Sequence, residues 1–78
     1  MLIEKGMIVK SIAGHDKDRY YLIVEACSKF AFIADGKRRR LEKPKRKNIK
    51  HLQQTNYFCQ PNEYKTDKQL RSLLHQWN

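Results

Sequence analysis

The chain has little of what usually settles a protein's chemistry. Its 78 residues include two cysteines, Cys27 and Cys59, far apart and outside any C-x-x-C pair. Three histidines do not complete a ligand quartet at zinc spacing. A secreted disulfide scaffold carries more cysteine, so the setting expected is a reducing cytoplasm with both thiols free. No stretch approaches the about 18 consecutive apolar residues of a membrane span, and MLIEKGMIVK lacks the apolar run of a signal peptide. Neither G-x-G-x-x-G nor G-x-x-x-x-G-K-[ST] occurs. Acids are scarce: eight carboxylates, scattered, with no obvious close pair. Nothing in the spacing brings Cys27 to His15, and a cysteine beside a strand reads as a small core residue. These absences argue against an enzyme and imply no cofactor and no metal.

What is abundant is positive charge in one place. Seventeen basic residues against eight acids give a net charge of +9. Residues 37–50 hold nine of the basic groups and a single acid, Glu42, a local net of +8. The rest of the chain is close to neutral. A chain of this length forms one domain and buries only about 60–65% of the surface it exposes when unfolded, so its core is small. Concentrated like charge destabilises a compact state through self-repulsion, and a polyanionic partner accounts for it.

The apolar pattern is that of short strands. MIVKSI (7–12), YYLIVEA (20–26) and FAFIA (30–34) read as strands, with AGHDKDR a loop between the first two. Asp35-Gly36 stands where a tight hairpin turn needs φ > 0. KRRRLE (37–42) then pairs back as a short strand ended by Pro44, and NIKHLQ (48–53) supplies a fifth. Five short strands joined by short turns predict a small β-barrel over residues 1–55. Residues 56–65, polar with aromatics and Pro61, read as a linker. Residues 66–78 read as a helix. Thr66 and Gln69 form a capping box, Asp67 suits the helix dipole, and Leu70, Leu73, Leu74 and Trp77 share one face. Two readings of that face stand: it packs on the barrel or on Tyr57-Phe58, or it docks a protein partner.

The basic run also has rival readings. A block of like charge is often a solvated tail. Here Leu41, Pro44 and Ile49 interrupt it, and it lies between strands rather than at an end, which favours a rigid basic face. Arginine forks grip phosphate oxygens bidentately and lysines add point charge. A nuclear-import signal and an anionic membrane surface are further options, the latter without flanking hydrophobes. In the first loop, Gly14 lets the backbone come close to a partner, flanked by His15, Lys17 and Arg19; an ordinary charged hairpin loop is the plain alternative. Tyr20, Tyr21, Phe30 and Phe32 are either core residues or stacking surfaces for bases.

Taken together, GMIVKSIAGHDKDRYYLIVE and ADGKRRRLEKPKRKNIKHLQQT resemble the KOW family. The glycine, the apolar positions and the AG-charged loop carry the likeness. Within that family the chain resembles large-subunit ribosomal proteins of the L14e/L27e type and small bacterial KOW proteins. Asn48, Ile49, His51, Leu52 and Thr55 match a segment following the basic run. Thr66, Asp67, Leu70, Arg71 and Leu74 match a C-terminal helix. Asp18 replaces a loop glycine, and His15 stands where an arginine is common. The resemblance implies a mostly β, SH3-like barrel of five strands with a short C-terminal helix, binding structured RNA, above all ribosomal RNA or the large subunit, in translation. The implied RNA-facing residues are Gly14, His15 and Lys17 in the loop, then Lys37, Arg38, Arg39, Arg40, Lys43, Lys45, Arg46, Lys47 and Lys50, with His51 beside them. Because KOW barrels also contact proteins in transcription complexes, a protein-interaction module of a transcription or translation factor complex is the alternative.

Overall fold

The computed structural model describes residues 3–78; Met1 and Leu2, the first residues of the expected barrel, lie outside them. Five strands are present: β1 (Met7–Ser11), β2 (Tyr20–Ala26), β3 (Phe30–Ala34), β4 (Lys45–Asn48) and β5 (Leu52–Phe58). They form one antiparallel sheet in the order β4-β3-β2-β1-β5. The first four are a meander, and the fifth returns beside the first. β4 and β5 are not paired with each other, so the sheet is open. One helix, α1 (Asp67–Leu74), follows.

β1 and β2 are buried on both faces, as their near-continuous apolar runs require. On one face Met7, Val9, Tyr21, Ile23, Ala31, Ile33 and Leu52 pack together. On the other, Ile8, Leu22 and Ala34 meet Leu70 and Leu74 of α1. Each of these two helix leucines is essentially fully buried, worth about 1.5–3 kcal/mol relative to exposure. The helix begins as the capping box dictates: Thr66 Oγ1 accepts from Gln69 N–H at 3.1 Å, and Gln69 Oε1 accepts from Thr66 N–H at 3.2 Å. Its apolar face lies on the sheet, with Leu73 and Trp77 half-buried beside it.

Three expectations are corrected. KRRRLE is not a strand. Residues 37–44 form bends and turns, and the fourth strand is Lys45–Asn48, with no apolar residue in it. NIKHLQ is not one strand either: Ile49–His51 is a 3-10 turn whose N-terminus is capped by the Asn48 side chain, which accepts from Lys50 N–H. The strand that follows continues through Thr55 to Phe58, into the stretch read as a linker, because its partner β1 extends alongside it to Met7 across a bulge.

Candidate nucleic-acid interface

The loop between β1 and β2 and the loop between β3 and β4 leave the same end of the sheet, since Ser11, Tyr20 and Ala34 end or begin their strands there. The first loop is a tight backbone structure. Lys17 N–H bonds Gly14 C=O, Arg19 N–H bonds Asp16 C=O, and Asp18 N–H returns to Ser11 C=O at 2.7 Å. Gly14 has φ +87°, and Asp18 takes φ +72° where the resemblance expects glycine. Aspartate is among the few residues that tolerate this region. Gly14, His15 and Lys17 are exposed on the loop.

Asp16, in the same loop, organises what lies beneath. It is only 8% exposed. Its Oδ1 accepts from Ser11 Oγ at 2.9 Å and from Lys47 Nζ at 2.7 Å, and its Oδ2 accepts from Lys45 Nζ at 3.3 Å. Lys47 Nζ also donates to Ala13 C=O at 2.9 Å. Burial alone would raise the Asp16 carboxyl; hydrogen bonds from Lys47 and Ser11 and the charges of Lys47 and Lys45 outweigh it and lower its pKa to about 2. Lys47, expected to grip phosphate, is thus a buried structural cation, itself 8% exposed. A methyl group on Gly14 would sit 3.2 Å from Lys47 Nζ, so that glycine makes room for the ion pair as well as for the turn.

The second loop is held just as firmly. Asp35, 4% exposed, accepts from Lys37 N–H and Arg39 N–H through Oδ1, both at 2.9 Å. Asp35 N–H and Gly36 N–H both donate back to Arg39 C=O. The helix clamps the loop from the side: Arg71 Nη1 donates to Gly36 C=O at 2.8 Å, and Leu41 N–H donates to Asp67 Oδ1 at 2.8 Å. The run of arginines is therefore a fixed turn that exposes Arg38, Arg39 and Arg40.

The two loops converge. His15, Arg38, Arg39 and Lys45 line one cleft of about 90 Å³ over Asp16 and Tyr21. Arg40 and Lys43 are exposed further along the second loop. Other residues expected at the RNA stand apart from the cleft. Arg46, on the opposite side of β4 from Lys45 and Lys47, lies 4.8 Å from the Phe30 ring centre. Lys50 is exposed on the turn after β4, where Ile49 N–H bonds Lys29 C=O at the β2–β3 hairpin. His51 is exposed, and its carbonyl accepts from Ile12 N–H at 2.9 Å. Lys37 lies on the far side of its loop, towards α1.

Sequence reasoning gave no part in this surface to the residues that build it, Asp16, Asp35, Asp67 and Arg71. It placed Asp35 in a turn and Asp67 and Arg71 in the C-terminal helix, but nothing in the pattern shows that they brace the basic loops. Among the described residues no group of three His, Cys, Asp or Glu could hold a metal ion, and no helix is long and apolar enough to cross a membrane. Cys27 is exposed and Cys59 half-buried, and neither is in a disulfide. Compared with known proteins, the chain matches no family model and no curated sequence.

Proposed function

We propose that this protein is a KOW-type RNA-binding module of SH3-like form, acting on ribosomal RNA or the large subunit in translation and catalysing no reaction. The observation that carries the reading is the braced turn 36–41. Three consecutive arginines are exposed on a backbone fixed by Asp35, Asp67 and Arg71, beside the loop bearing His15 and Lys17. A fixed cationic surface binds a phosphate chain without first ordering itself, an entropy that a polybasic tail must lose on binding. The strand order, with the fifth strand returning beside the first, supports the small-barrel reading. The resemblance between residues 6–25 and the KOW pattern adds the RNA expectation.

Arg38, Arg39 and Arg40 are the principal phosphate ligands in this reading, with Lys43, Lys45, His15 and Lys17 at their sides. Gel shifts with structured RNA test it. The variant R38A/R39A/R40A retains its fold, and its salt dependence flattens by about 0.7–0.9 in log–log slope for each phosphate that is no longer neutralised. Unaltered RNA affinity and slope in that variant would remove the proposal. The alternative, a protein-interaction module, calls for an uncovered apolar surface. Leu70 and Leu74 of α1 are buried against the sheet, which leaves Tyr57 and Phe58 on β5 as the exposed aromatics nearest to such a role. A pull-down after nuclease treatment separates the two readings.

A further inference from the structure

Three cations stand outside the cleft that joins the two loops. Arg46 lies on the opposite side of β4 from Lys45 and Lys47, Lys50 follows β4 in its 3-10 turn, and Lys29 closes the β2–β3 turn. All three are exposed. Lys29 and Lys50 belong to one corner of the sheet, since Ile49 N–H donates to Lys29 C=O at 3.0 Å. Two aromatic rings lie beside them. Arg46 pairs in register with Phe32, and its guanidinium carbon is 4.8 Å from the Phe30 ring centre. Residues two apart on a strand point to the same side, so Phe30, Phe32 and Arg46 share one face of β3 and β4. Elsewhere on that face α1 covers Ile8, Leu22 and Ala34. Among the described residues, Phe30 and Phe32 are half-buried and pack in neither core cluster.

The aromatic residues of β2 and β3 thus divide. Tyr21 is a core residue, 2% exposed, and Tyr20 stacks on Trp77. Phe30 and Phe32 are left beside an exposed guanidinium. Aromatic rings and guanidinium planes are the surfaces on which unpaired bases stack. The Phe30 ring attracts the Arg46 cation and so holds its plane in place. Along β3 the two phenylalanines stand about 6.5–7 Å apart. That is about twice the 3.4 Å per nucleotide of a duplex strand, which suits bases drawn apart and not bases stacked in a helix. Charge complements the ligand at both ends. Lys29 and Lys50 lie at one end of β4 and the arginine turn precedes the other, about 10 Å away along the strand. Glu25, paired with Phe32 on β2, is exposed and repels phosphates, which keeps them on the β4 side.

We infer that the face formed by Phe30, Phe32 and Arg46 binds an unpaired stretch of the RNA by base stacking, with Lys29 and Lys50 on its phosphates. The inference rests on the RNA-binding reading and adds a surface that favours single strands, where the arginine turn meets only backbone. Stacking tolerates every base, so this face selects for strandedness and not for sequence.

The test uses three probes: single-stranded oligoadenylate, a blunt RNA duplex and inorganic polyphosphate. In NMR titrations the ring signals of Phe30 and Phe32 should move upfield with oligoadenylate, through the ring currents of the bases, and hold still with polyphosphate. F32L keeps an apolar side chain without the ring; R46K keeps the charge without the plane. Each should weaken oligoadenylate binding by about fivefold or more, the effect of losing one stacked base, with the salt slope and duplex affinity of the parent. R38A/R39A/R40A should weaken both RNAs. Equal ring shifts with polyphosphate, unchanged oligoadenylate affinity in both F32L and R46K, or an equal loss of duplex binding in them would each overturn the inference. A lower melting temperature in those variants with oligoadenylate affinity unchanged would mean that Arg46 and the rings only cover one another, and overturns it too. Should F32L not fold, R46K and the ring signals of the parent decide. If the duplex is still bound through the arginine turn in those cases, the stacking face fails alone; binding of neither RNA sinks the broader proposal with it.

Discussion

Lys47→Met is the substitution that best separates the fold from its cationic surface. The charge run makes Lys47 one of nine candidate phosphate ligands, but the structure buries its ammonium between Asp16 and the Ala13 carbonyl. Methionine keeps the length of the stem and deletes the charge. Asp16 then remains in a buried site with Ser11 and the more distant Lys45 as its only side-chain partners. Breaking a buried pair from one side costs about 3–5 kcal/mol, and the surviving partners place this case near about 3 kcal/mol. A domain of this length has a total stability of about 4–12 kcal/mol. At about 4–8 °C per kcal/mol, thermal unfolding should move down by about 12–24 °C. Below that transition, RNA affinity and its salt slope should equal those of the parent. Arg39→Ala should do the opposite, leaving stability within about 0.5 kcal/mol and flattening the slope by about 0.7–0.9. Differential scanning calorimetry and salt-dependent gel shifts on both variants supply the readings. A Lys47→Met protein that melts with the parent but shows the Arg39→Ala slope would place Lys47 on the phosphates and refute the reasoning. A partial recovery of melting temperature in D16N/K47M is expected from the same logic, since it removes the stranded charge.

Acid should find the same ion pair. The Asp16 carboxyl is held at about 2 in the fold against 3.8 when free. A depressed carboxylate stabilises above its unfolded pKa, so this contribution, about 2 kcal/mol, is complete at neutral pH and is lost as pH falls from about 4 to about 2. Urea unfolding across that range should show the decline in the parent and a shallower one in D16N. Gly36→Ala tests the brace on the arginine turn. Gly36 has φ +79°, and a Cβ there would collide with the Asp67 carbonyl and approach Arg71 N to 3.1 Å. A loss of about 1–3 kcal/mol is expected, with weaker RNA binding although every cation is still present. Equal RNA affinity in a folded Gly36→Ala protein would mean that the shape of the turn is irrelevant to binding.

The strands with apolar patterns can be read directly. YYLIVEA and FAFIA are β2 and β3 to the residue, and Thr66 with Gln69 marks the start of α1. β4 cannot be read in this way. Its residues KRKN alternate faces as any strand does, but the inward positions are Lys45 and Lys47, whose charges meet Asp16 in place of an apolar core. Hydrophobic periodicity cannot register a strand whose inner face is ionic. KRRRLE has no such alternation, and only its position after Asp35-Gly36 suggests a strand. The real role of Asp35 is as a side-chain acceptor for a wider turn, which the dipeptide alone does not reveal. The cationic segment is legible as a patch; its division into exposed arginines and a buried lysine is not, because that depends on one carboxylate some thirty residues away in the chain.

The clamp between α1 and the arginine turn has a dynamic consequence. Asp67 and Arg71, one turn apart on α1, grip Leu41 and Gly36. Undocking the helix therefore releases both anchors at once, so the Leu41 amide should exchange with solvent at the rate of the helical amides. Whatever frays the C-terminal turns also blurs the surface that meets the phosphate chain, although no residue of that surface has been touched.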